Sequence, residues 1–342
     1  MEKMKVAMYY NNNDVRIEEM PIPEINDDEI LVKVRACGIC GSDVMEWYRI
    51  KKAPKVLGHE ISGDIVELGK NVKKYKVGDR VFVSHHVPCN NCRLCLNDQH
   101  TLCDTLHSTN FYPGGFAEYL KVPKINVDRG VFVLPKNISY EEGTFIEPLA
   151  CVIRGLRIAE MKSGQTILII GSGISGLLHI KLARALKAGR IISTDIDDFR
   201  LKTAKNFGAD VVINAKEDVP EKVKKYNGGR LADLVVVCTG APAGVKQALN
   251  SVETGGTILF FALTEPGVEI PFPMFDLWYK GVKMLSTYAG APKDIDEAIN
   301  FIASRRITVT DMISHKLPLS EAAEGFKLVA EAKNSIKVIL EP

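Results

Sequence analysis

The sequence predicts a two-domain α/β protein, in which a β-rich domain of short strands is joined to a doubly wound domain with a six-stranded parallel sheet. A chain of 342 residues suggests about two domains at ~150 residues each. Near residue 150, short strands between glycines and prolines give way to apolar strands that alternate with helices. We therefore expect a first domain of residues 1–149 and 289–342, to which a final helix and strand return, and a second domain of residues 150–288.

The first domain is predicted from repeated short strands with turn signals. The segments EILVKVRA (29–36) and GDIVELG (63–69) have the composition of strands, and VGDRVFV (77–83) leads from a Gly-Asp turn into a third. Glycine and proline recur between the strands, as in YPGGFAEYLKVP (112–123). This pattern indicates a partly closed β domain.

The second domain is predicted from apolar strands that alternate with helical periods. TILIIG (166–171) is an apolar strand, and a helical period follows it and ends at Gly189. Nearly continuous apolar strands between helices indicate a parallel sheet covered on both faces, and six of them match a doubly wound dinucleotide-binding fold. The further strands are expected at 190–195, 210–213, 232–240, 256–262 and 281–287.

The composition is that of an ordinary globular protein, with 46% hydrophobic residues, 25% charged residues and a net charge of +2. The absence of a long run of Lys or Arg argues against nucleic acid as a partner. No apolar run reaches the ~20 residues of a membrane span, and the first residues lack a signal-peptide core. We therefore expect a cytoplasmic protein with neither a membrane nor a nucleic-acid partner.

The loop GSGISG places Gly171, Gly173 and Gly176 between a strong strand and a strong helix. In this context the first glycine makes the tight turn, the second lets the backbone approach a pyrophosphate, and the third lets helix and strand pack closely. Asp195 closes the next strand, where a carboxylate accepts hydrogen bonds from ribose hydroxyls and repels a 2′-phosphate. The loop therefore predicts NAD as cofactor in preference to NADP. The alternative is a Gly-rich turn without a ligand.

Further residues are assigned to the same cofactor site by position. Ile174 and Ser175 lie within the loop, and Thr239 ends the strand at 232–240. Arg200 lies in the helix after Asp195, where it would either approach the adenine or be an ordinary solvated residue.

Four cysteines with the spacing C-x2-C-x2-C-x7-C predict a structural zinc site. Four thiolates on one short loop suit a closed tetrahedral zinc site. An iron–sulfur cluster is the rival, but the ferredoxin pattern has its fourth Cys after three residues and before Pro. A set of metal-free buried thiols is the third possibility. The four predicted ligands are Cys89, Cys92, Cys95 and Cys103.

A second set of candidate metal ligands comes from three separate segments. Cys40 lies in CGICGSD, His59 and Glu60 lie in GHEISG, and Glu147 precedes Pro148. A Cys, a His and a carboxylate are a plausible shell for a catalytic zinc with one open position, at which an alcohol oxygen would bind. Taken singly, a His-Glu pair is usually a surface or capping pair, and a Glu before Pro is usually a helix start.

Cys37 and Cys40 also form a C-x-x-C motif, which raises the alternative of a redox pair. A redox C-x-x-C usually opens a helix in a thioredoxin-like fold, whereas this one lies in a predicted β domain. Cys40 comes just before a helix expected to begin near Asp43, a position that favours the thiolate needed by a metal. We therefore assign Cys40 as the ligand and Cys37 as a packed residue.

Taken together, these motifs resemble the zinc-dependent medium-chain alcohol/polyol dehydrogenases, in the branch of sorbitol and threonine dehydrogenases. The matching stretches include CGICGSD, GHEISGDIVELG, VGDRV, GGFAEY, EPLAC and the glycine loop, and they run in family order over nearly the whole chain. The resemblance implies a chaperonin-10-like β domain, an NAD-binding Rossmann domain and a catalytic zinc in the cleft between them. It also implies a homo-oligomer, a dimer or a homotetramer.

The resemblance further implies that Cys40, His59 and Glu147 bind the catalytic zinc, with Glu60 as an alternate ligand. Ser42 would hydrogen-bond the substrate alcohol and carry its proton outward, unless it only caps the following helix. Asp43 would orient His59, or cap the same helix. The chain departs from many relatives at Met45, where they carry a His that passes the proton to solvent.

We therefore expect an enzyme with two zinc ions per chain that transfers a hydride from a secondary alcohol of a polyol, sugar or sugar acid to NAD. L-threonine 3-dehydrogenase, or another secondary-alcohol dehydrogenase, is the alternative within this class. A cysteine-cluster electron-transfer protein is the alternative of another class.

Overall fold

The computed structural model describes residues 2–342. The chain divides into two compact units, of which unit 1 comprises Met1–Ala150 with Ala289–Pro342 and unit 2 comprises Cys151–Tyr288. Among the described residues, no helix combines the length and the apolar character needed to cross a membrane.

The strands, in chain order, are β1 (Lys3–Asn11), β2 (Asp14–Pro21), β3 (Ile30–Gly38), β4 (Lys55–Val56), β5 (Glu60–Leu68), β6 (Arg80–Val83), β7 (Tyr119–Val122), β8 (Val131–Val133), β9 (Thr166–Ile170), β10 (Arg190–Asp195), β11 (Val211–Asn214), β12 (Ala232–Val237), β13 (Val252–Phe260), β14 (Lys283–Ser286), β15 (Ile313–Pro318) and β16 (Lys337–Glu341).

The α-helices are α1 (Glu46–Arg49), α2 (Arg93–Leu96), α3 (Asp104–Ser108), α4 (Lys124–Gly130), α5 (Tyr140–Gly143), α6 (Ile146–Ile158), α7 (Ile174–Ala185), α8 (Asp198–Asn206), α9 (Val219–Tyr226), α10 (Pro242–Ser251), α11 (Met274–Tyr279), α12 (Pro292–Ala303) and α13 (Ala322–Glu331). Short 3₁₀ helices span Gly41–Val44, Ile50–Lys52, His100–Leu102, Thr310–Met312 and Leu319–Glu321.

Unit 1 is built around a curved, mostly antiparallel sheet. Its strands run in the order β15-β16-β3-β5-β6-β8, with β7 also paired to β3, and a smaller sheet has the order β2-β1-β4. Strands β3, β5, β6 and β16 are buried along most of their length, and the core that they form includes fully buried aromatics such as Tyr9, Phe116 and Phe326. This arrangement confirms the predicted partly closed β architecture.

Unit 2 is a doubly wound parallel sheet. The strand order is β11-β10-β9-β12-β13-β14, and the pairs are all parallel. Numbered from its own first strand this is the order 3-2-1-4-5-6, in which chain direction across the sheet reverses between β9 and β12. Ligands of such sheets bind at the carboxyl ends of the strands beside this reversal. The predicted six-stranded dinucleotide fold is confirmed.

The helix expected from Asp43 onward is the main local difference from the sequence prediction. The segment is a 3₁₀ turn over Gly41–Val44, then α1, then a second 3₁₀ turn. Met45 interrupts it with φ −76° and ψ 85°, and Cys40 rather than Ser42 or Asp43 is the N-cap of the first turn. A side-chain hydrogen bond from Arg49 Nε to the Ser42 carbonyl oxygen, 2.8 Å, holds the broken segment in place.

Candidate functional site

The end of β3 and the start of β5 bring the first candidate ligands together. Gly38 of β3 pairs with Glu60 of β5 across these antiparallel strands. Cys40 comes two residues after Gly38 and His59 comes one residue before Glu60, so both lie at the same end of the strand pair. The ligand atoms of Cys40, His59 and Glu60 all lie within 4.8 Å of one another. A thiol, an imidazole and a carboxylate at this separation fit a single zinc ion.

Asp43 orients the imidazole of this group. Its Oδ1 lies 3.5 Å from His59 Nδ1, so one ring nitrogen is held beside the carboxylate. Burial alone would lower the pKa of His59, but Asp43 and Cys40 outweigh it and raise the pKa well above its usual value. The Asp43 carboxylate is fully buried and also lies 3.3 Å from Arg49 Nη2. This is the arrangement by which carboxylates commonly hold metal-binding histidines.

A buried ion pair between Glu60 and Lys337 lies beside the same group. The Glu60 Oε2 atom accepts a hydrogen bond from Lys337 Nζ, and both side chains are only 1% exposed. Burial alone would lower the pKa of Lys337, but Glu60 and Cys40 raise it, so the ammonium stays charged. The pair packs over Gly38, where a Cβ atom would lie 2.3 Å from Glu60 Oε2. Glycine at this position therefore leaves room for the pair.

Glu147 lies at the start of α6 and outside this set of mutually close ligand atoms. It is close enough to act electrostatically on both Glu60 and Lys337. Cys40, His59 and Glu60 thus form the group of close ligand atoms, and Glu147 lies outside this group but within electrostatic range of it.

Ser42 has two close polar neighbours. Its Oγ lies 3.4 Å from Cys40 Sγ and accepts a hydrogen bond of 2.9 Å from Arg49 Nη2. Because the guanidinium only donates, the Ser42 hydroxyl hydrogen remains available to the Cys40 sulfur. Arg49 was not among the residues predicted for the site, because its contact with Ser42 depends on the chain folding back after Met45.

Two adjacent histidines extend the site beyond His59. The His85 ring stacks at a tilt on His59, with 4.8 Å between centroids, and on His86, with 3.8 Å. Burial lowers the pKa of His85 well below its usual value and that of His86 to about 3. Both rings are therefore neutral near pH 7. Met45 and Trp47 are half-buried.

The four cysteines of the lobe converge on one point. Their sulfurs lie within 4.8 Å of one another, with Cys92 Sγ at 3.6 Å and Cys89 Sγ at 3.9 Å from Cys95 Sγ. Zn–S bonds of ~2.3 Å in a tetrahedron place sulfurs about 3.8 Å apart, so the lobe fits one zinc ion. Backbone N–H groups of Cys89 and Leu106 outweigh the effect of burial and lower the pKa of Cys103 to about 6.

The glycine loop of unit 2 has the geometry of a pyrophosphate-binding turn. Gly171 has φ +96°, and a Cβ at Gly176 would lie 2.0 Å from the Gly171 carbonyl oxygen. A Cβ at Gly173 would meet only Arg200 Nη1, at 3.8 Å, so the backbone before α7 is open to a ligand. Asp195 Oδ2 accepts a hydrogen bond of 2.8 Å from the Ser172 N–H, which ties the loop to the end of β10.

The other predicted cofactor residues surround this loop. Arg200 Nη1 lies 3.9 Å from Asp195 Oδ2, and Thr239 Oγ1 accepts a hydrogen bond of 3.2 Å from the Ala241 N–H. Ile174 and Ser175 form the first turn of α7, whose N–H groups are available to an anion. The structure thus collects every predicted cofactor residue around the ends of β9, β10 and β12.

Comparison with known proteins agrees with both units. Residues 26–132 match the alcohol dehydrogenase GroES-like domain, and residues 175–304 match the zinc-binding dehydrogenase family. Sorbitol dehydrogenase of Bacillus subtilis is 34% identical, with 100% of this chain and 98% of that protein covered. L-threonine 3-dehydrogenase of Bacillus velezensis is also 34% identical, with 99% of each covered.

Among solved structures, an alcohol dehydrogenase of E. coli CFT073 in complex with NADH superimposes with a TM-score of 0.89 at 25% identity, with 100% of both chains covered. The two family matches and the full-length relatives confirm the resemblance drawn from the sequence motifs. The chain belongs to the zinc-dependent medium-chain dehydrogenase family and is an NAD(P)-dependent oxidoreductase.

Proposed function

We propose that this protein oxidises a secondary alcohol of a polyol, sugar or sugar acid and transfers the hydride to NAD. The observation that carries the proposal is the convergence of Cys40, His59 and Glu60 ligand atoms within 4.8 Å. The half-buried hydroxyl of Ser42 lies directly beside this group. A thiolate, an imidazole and a carboxylate with a neighbouring hydroxyl are what zinc-assisted alcohol oxidation requires.

Cys40 and His59 would hold the catalytic zinc together with one carboxylate. We assign Glu147 as that carboxylate and Glu60 as an alternate ligand, because one Glu60 oxygen is already engaged by the buried Lys337 ammonium. When bound, zinc supplies a Lewis acid that lowers the pKa of an alcohol hydroxyl. The cysteines of the lobe, Cys89, Cys92, Cys95 and Cys103, would hold a second, structural zinc.

The chain's own residues then orient the substrate and remove its proton. Ser42 Oγ would accept the alcohol proton as its own hydroxyl hydrogen passes to water, while Arg49 fixes the position of that oxygen through its 2.9 Å hydrogen bond. Asp43 holds His59 in one ring orientation. Met45 cannot pass a proton onward, so the hydrogen released by Ser42 leaves through water.

NAD is favoured over NADP by Asp195. Its two oxygens accept hydrogen bonds from the N–H groups of Ser172 and Asp197. Because a carboxylate has about four lone-pair sites, Asp195 can also accept hydrogen bonds from ribose hydroxyls. The negative charge would repel a 2′-phosphate.

A variant pair tests the proposed zinc ligand. In C40S the zinc content should fall from two ions per chain to one, and NADH formation should fall by at least about 100-fold, while NAD binding persists. C37A removes a fully buried thiol outside the ligand group and is the matched control, with two zinc ions retained. Undiminished turnover in C40S without the second zinc would refute the proposal.

The two carboxylates can be separated by the same measurement. E147Q should lose the catalytic zinc or weaken its binding about 10- to 100-fold, whereas E60Q should retain it. The reverse result would assign Glu60 as the third ligand.

L-threonine is the second substrate candidate, because a relative of that activity is as similar as the sorbitol dehydrogenase. A screen of NADH formation across polyols, sugar acids and L-threonine decides between them. Turnover of L-threonine above all polyols would replace the polyol assignment.

A homo-oligomer, a dimer or tetramer, is supported by an exposed aromatic surface on α11. Phe275, Trp278 and Tyr279 are 71%, 72% and 77% exposed, and the adjacent β14 is the edge strand of its sheet. Apolar patches and open strand edges of this kind are usually covered by another chain. Light scattering of the protein and of W278E tests this, because a monomeric wild type would contradict it.

We also infer a cytoplasmic location. Four lobe thiols must stay reduced to bind zinc, and a reducing compartment keeps them so.

A further inference from the structure

A cationic segment lies next to the candidate active site. Between Glu46 and Lys55 the chain carries four basic residues and one acidic residue. Lys52 ends the second 3₁₀ turn, and Lys55 opens β4, where it pairs with Tyr9 of β1. Lys55 precedes His59 by only four positions in the chain, so this segment leads directly into the ligand group.

Lys55 is the unusual member of this segment. Its side chain is half-buried, and among residues 2–342 no carboxylate or other acceptor lies within hydrogen-bonding distance of its Nζ. Burial, together with the nearby Lys52 and Arg49, lowers its pKa. A cation that is partly desolvated and surrounded by like charge is unfavourable by itself and becomes favourable when an anion binds.

The position of Lys55 connects this charge to the chemistry. Its charge acts on the buried His85 ring, which stacks on His59 at 4.8 Å. Arg49, one of the two cations that act on Lys55, donates to Ser42 Oγ at 2.9 Å. Lys55 therefore lies within electrostatic range of His85, which stacks on His59, and of Arg49, which donates to Ser42.

We propose that Lys55, assisted by Lys52, binds an anionic group on the substrate, so that the preferred substrate is a polyol carrying a phosphate monoester or a carboxylate. The inference rests on the proposed function and narrows its substrate class. Arg49 contributes positive charge but keeps its hydrogen bonds to Ser42 and Asp43. An ammonium recognises phosphate and carboxylate alike as a point charge, so the two sources share one chemistry.

A solvated cationic face and a site for a cofactor phosphate are the two alternatives for this segment. A solvated face would need no ligand, but Lys55 is half-buried and Lys52 and Lys55 form no ion pair among the described residues. If Lys55 instead bound a cofactor phosphate, its replacement would raise the KM for NAD, and by the same factor with every substrate.

The test compares a neutral hexitol, its terminal phosphate and the matching aldonate as substrates. Wild type should show a kcat/KM at least about 10-fold higher for one of the two anions than for the neutral hexitol. In K55M this preference should fall about 10- to 100-fold, and K55R, which keeps the charge, should retain most of it. K51M removes an exposed lysine of the same segment and should leave the preference intact.

A second measurement does not depend on turnover. Inorganic phosphate, titrated into the zinc-loaded protein and followed by ³¹P NMR line broadening, should bind wild type and K51M and bind K55M at least about 10-fold more weakly. The proposal would be overturned if wild type showed equal kcat/KM for neutral and anionic substrates, or if K55M kept the preference of wild type. It would also be overturned if K55M showed a raised KM for NAD with all substrates. Absence of NADH formation with every compound would instead refute the proposed function, while the phosphate titration would still decide the role of Lys55.

Discussion

Replacement of Lys337 by Met is expected to cost the protein a large part of its stability. Lys337 and Glu60 are each 1% exposed, so the change leaves a carboxylate buried without its partner. Removing one member of a buried ion pair typically costs about 3–5 kcal/mol, much more than the near-neutral effect of an exposed pair. For a unit of this size about 1 kcal/mol lowers Tm by about 2–4 °C, so K337M should melt roughly 6–20 °C lower.

The double variant distinguishes loss of the pair from simple loss of packing. Replacement of both charges, in E60Q/K337M, removes the buried charge altogether, and such replacements are often neutral or stabilising by about 1–4 kcal/mol. The double variant should therefore recover most of the Tm that K337M loses.

The assay is scanning calorimetry of the zinc-loaded protein at pH 7, with zinc content measured on each sample. K327M, at an exposed position of α13, is the matched control and should melt like wild type. A K337M protein that melts within about 1 °C of wild type would refute the reasoning, and so would a double variant less stable than K337M.

Three further predictions concern other parts of the chain. Burial lowers the pKa of His179 to about 4, so the native state binds fewer protons than the unfolded state and stability falls as pH drops from about 6.5 toward 4. H179Q removes this titration. As pH falls from 7 to 4, the free energy of unfolding of H179Q minus that of wild type should rise by up to about 3 kcal/mol in denaturant titrations. A difference that stays constant with pH would contradict a buried neutral ring. C103S should lose the structural zinc, with one ion per chain left by metal analysis and faster proteolysis of the lobe, and two retained zinc ions would exclude the lobe as a site. D195N keeps the acceptor for the Ser172 N–H but removes the charge, so the ratio of kcat/KM for NADP to that for NAD should rise at least about 10-fold, and an unchanged ratio would show that Asp195 does not select the cofactor.

The parts of the molecule that follow from local sequence were predictable. The strand TILII and the helix after Gly173 depend on apolar periodicity and on glycines whose conformations the turn requires. The strand lies where the pattern placed it, and the helix starts there but ends at Ala185 rather than at Gly189. The cysteine lobe is fixed by spacing within fifteen or so residues, which leaves few ways to arrange four thiols other than around a metal.

Residues whose roles depend on distant segments were not predictable from the sequence. Lys337 lies in SIKVILEP, where a single lysine in a strand indicates the solvent-facing side, yet pairing of β16 with β3 buries it against Glu60. Arg49 was expected in a continuous helix, and its contacts with Ser42 arise only because the chain breaks at Met45. Local propensity contains no information on either contact, since both are set by tertiary hydrogen bonds.

The Glu60–Lys337 pair also has a consequence for synthesis of the chain. The two residues are 277 positions apart, so at 5–20 residues per second roughly 14–55 s pass between their emergence from the ribosome. During that interval Cys40, His59 and Glu60 are already present while the cation that balances them has yet to be made. Because a buried carboxylate without its partner is strongly destabilising, Glu60 should stay in contact with water until β16 joins the sheet.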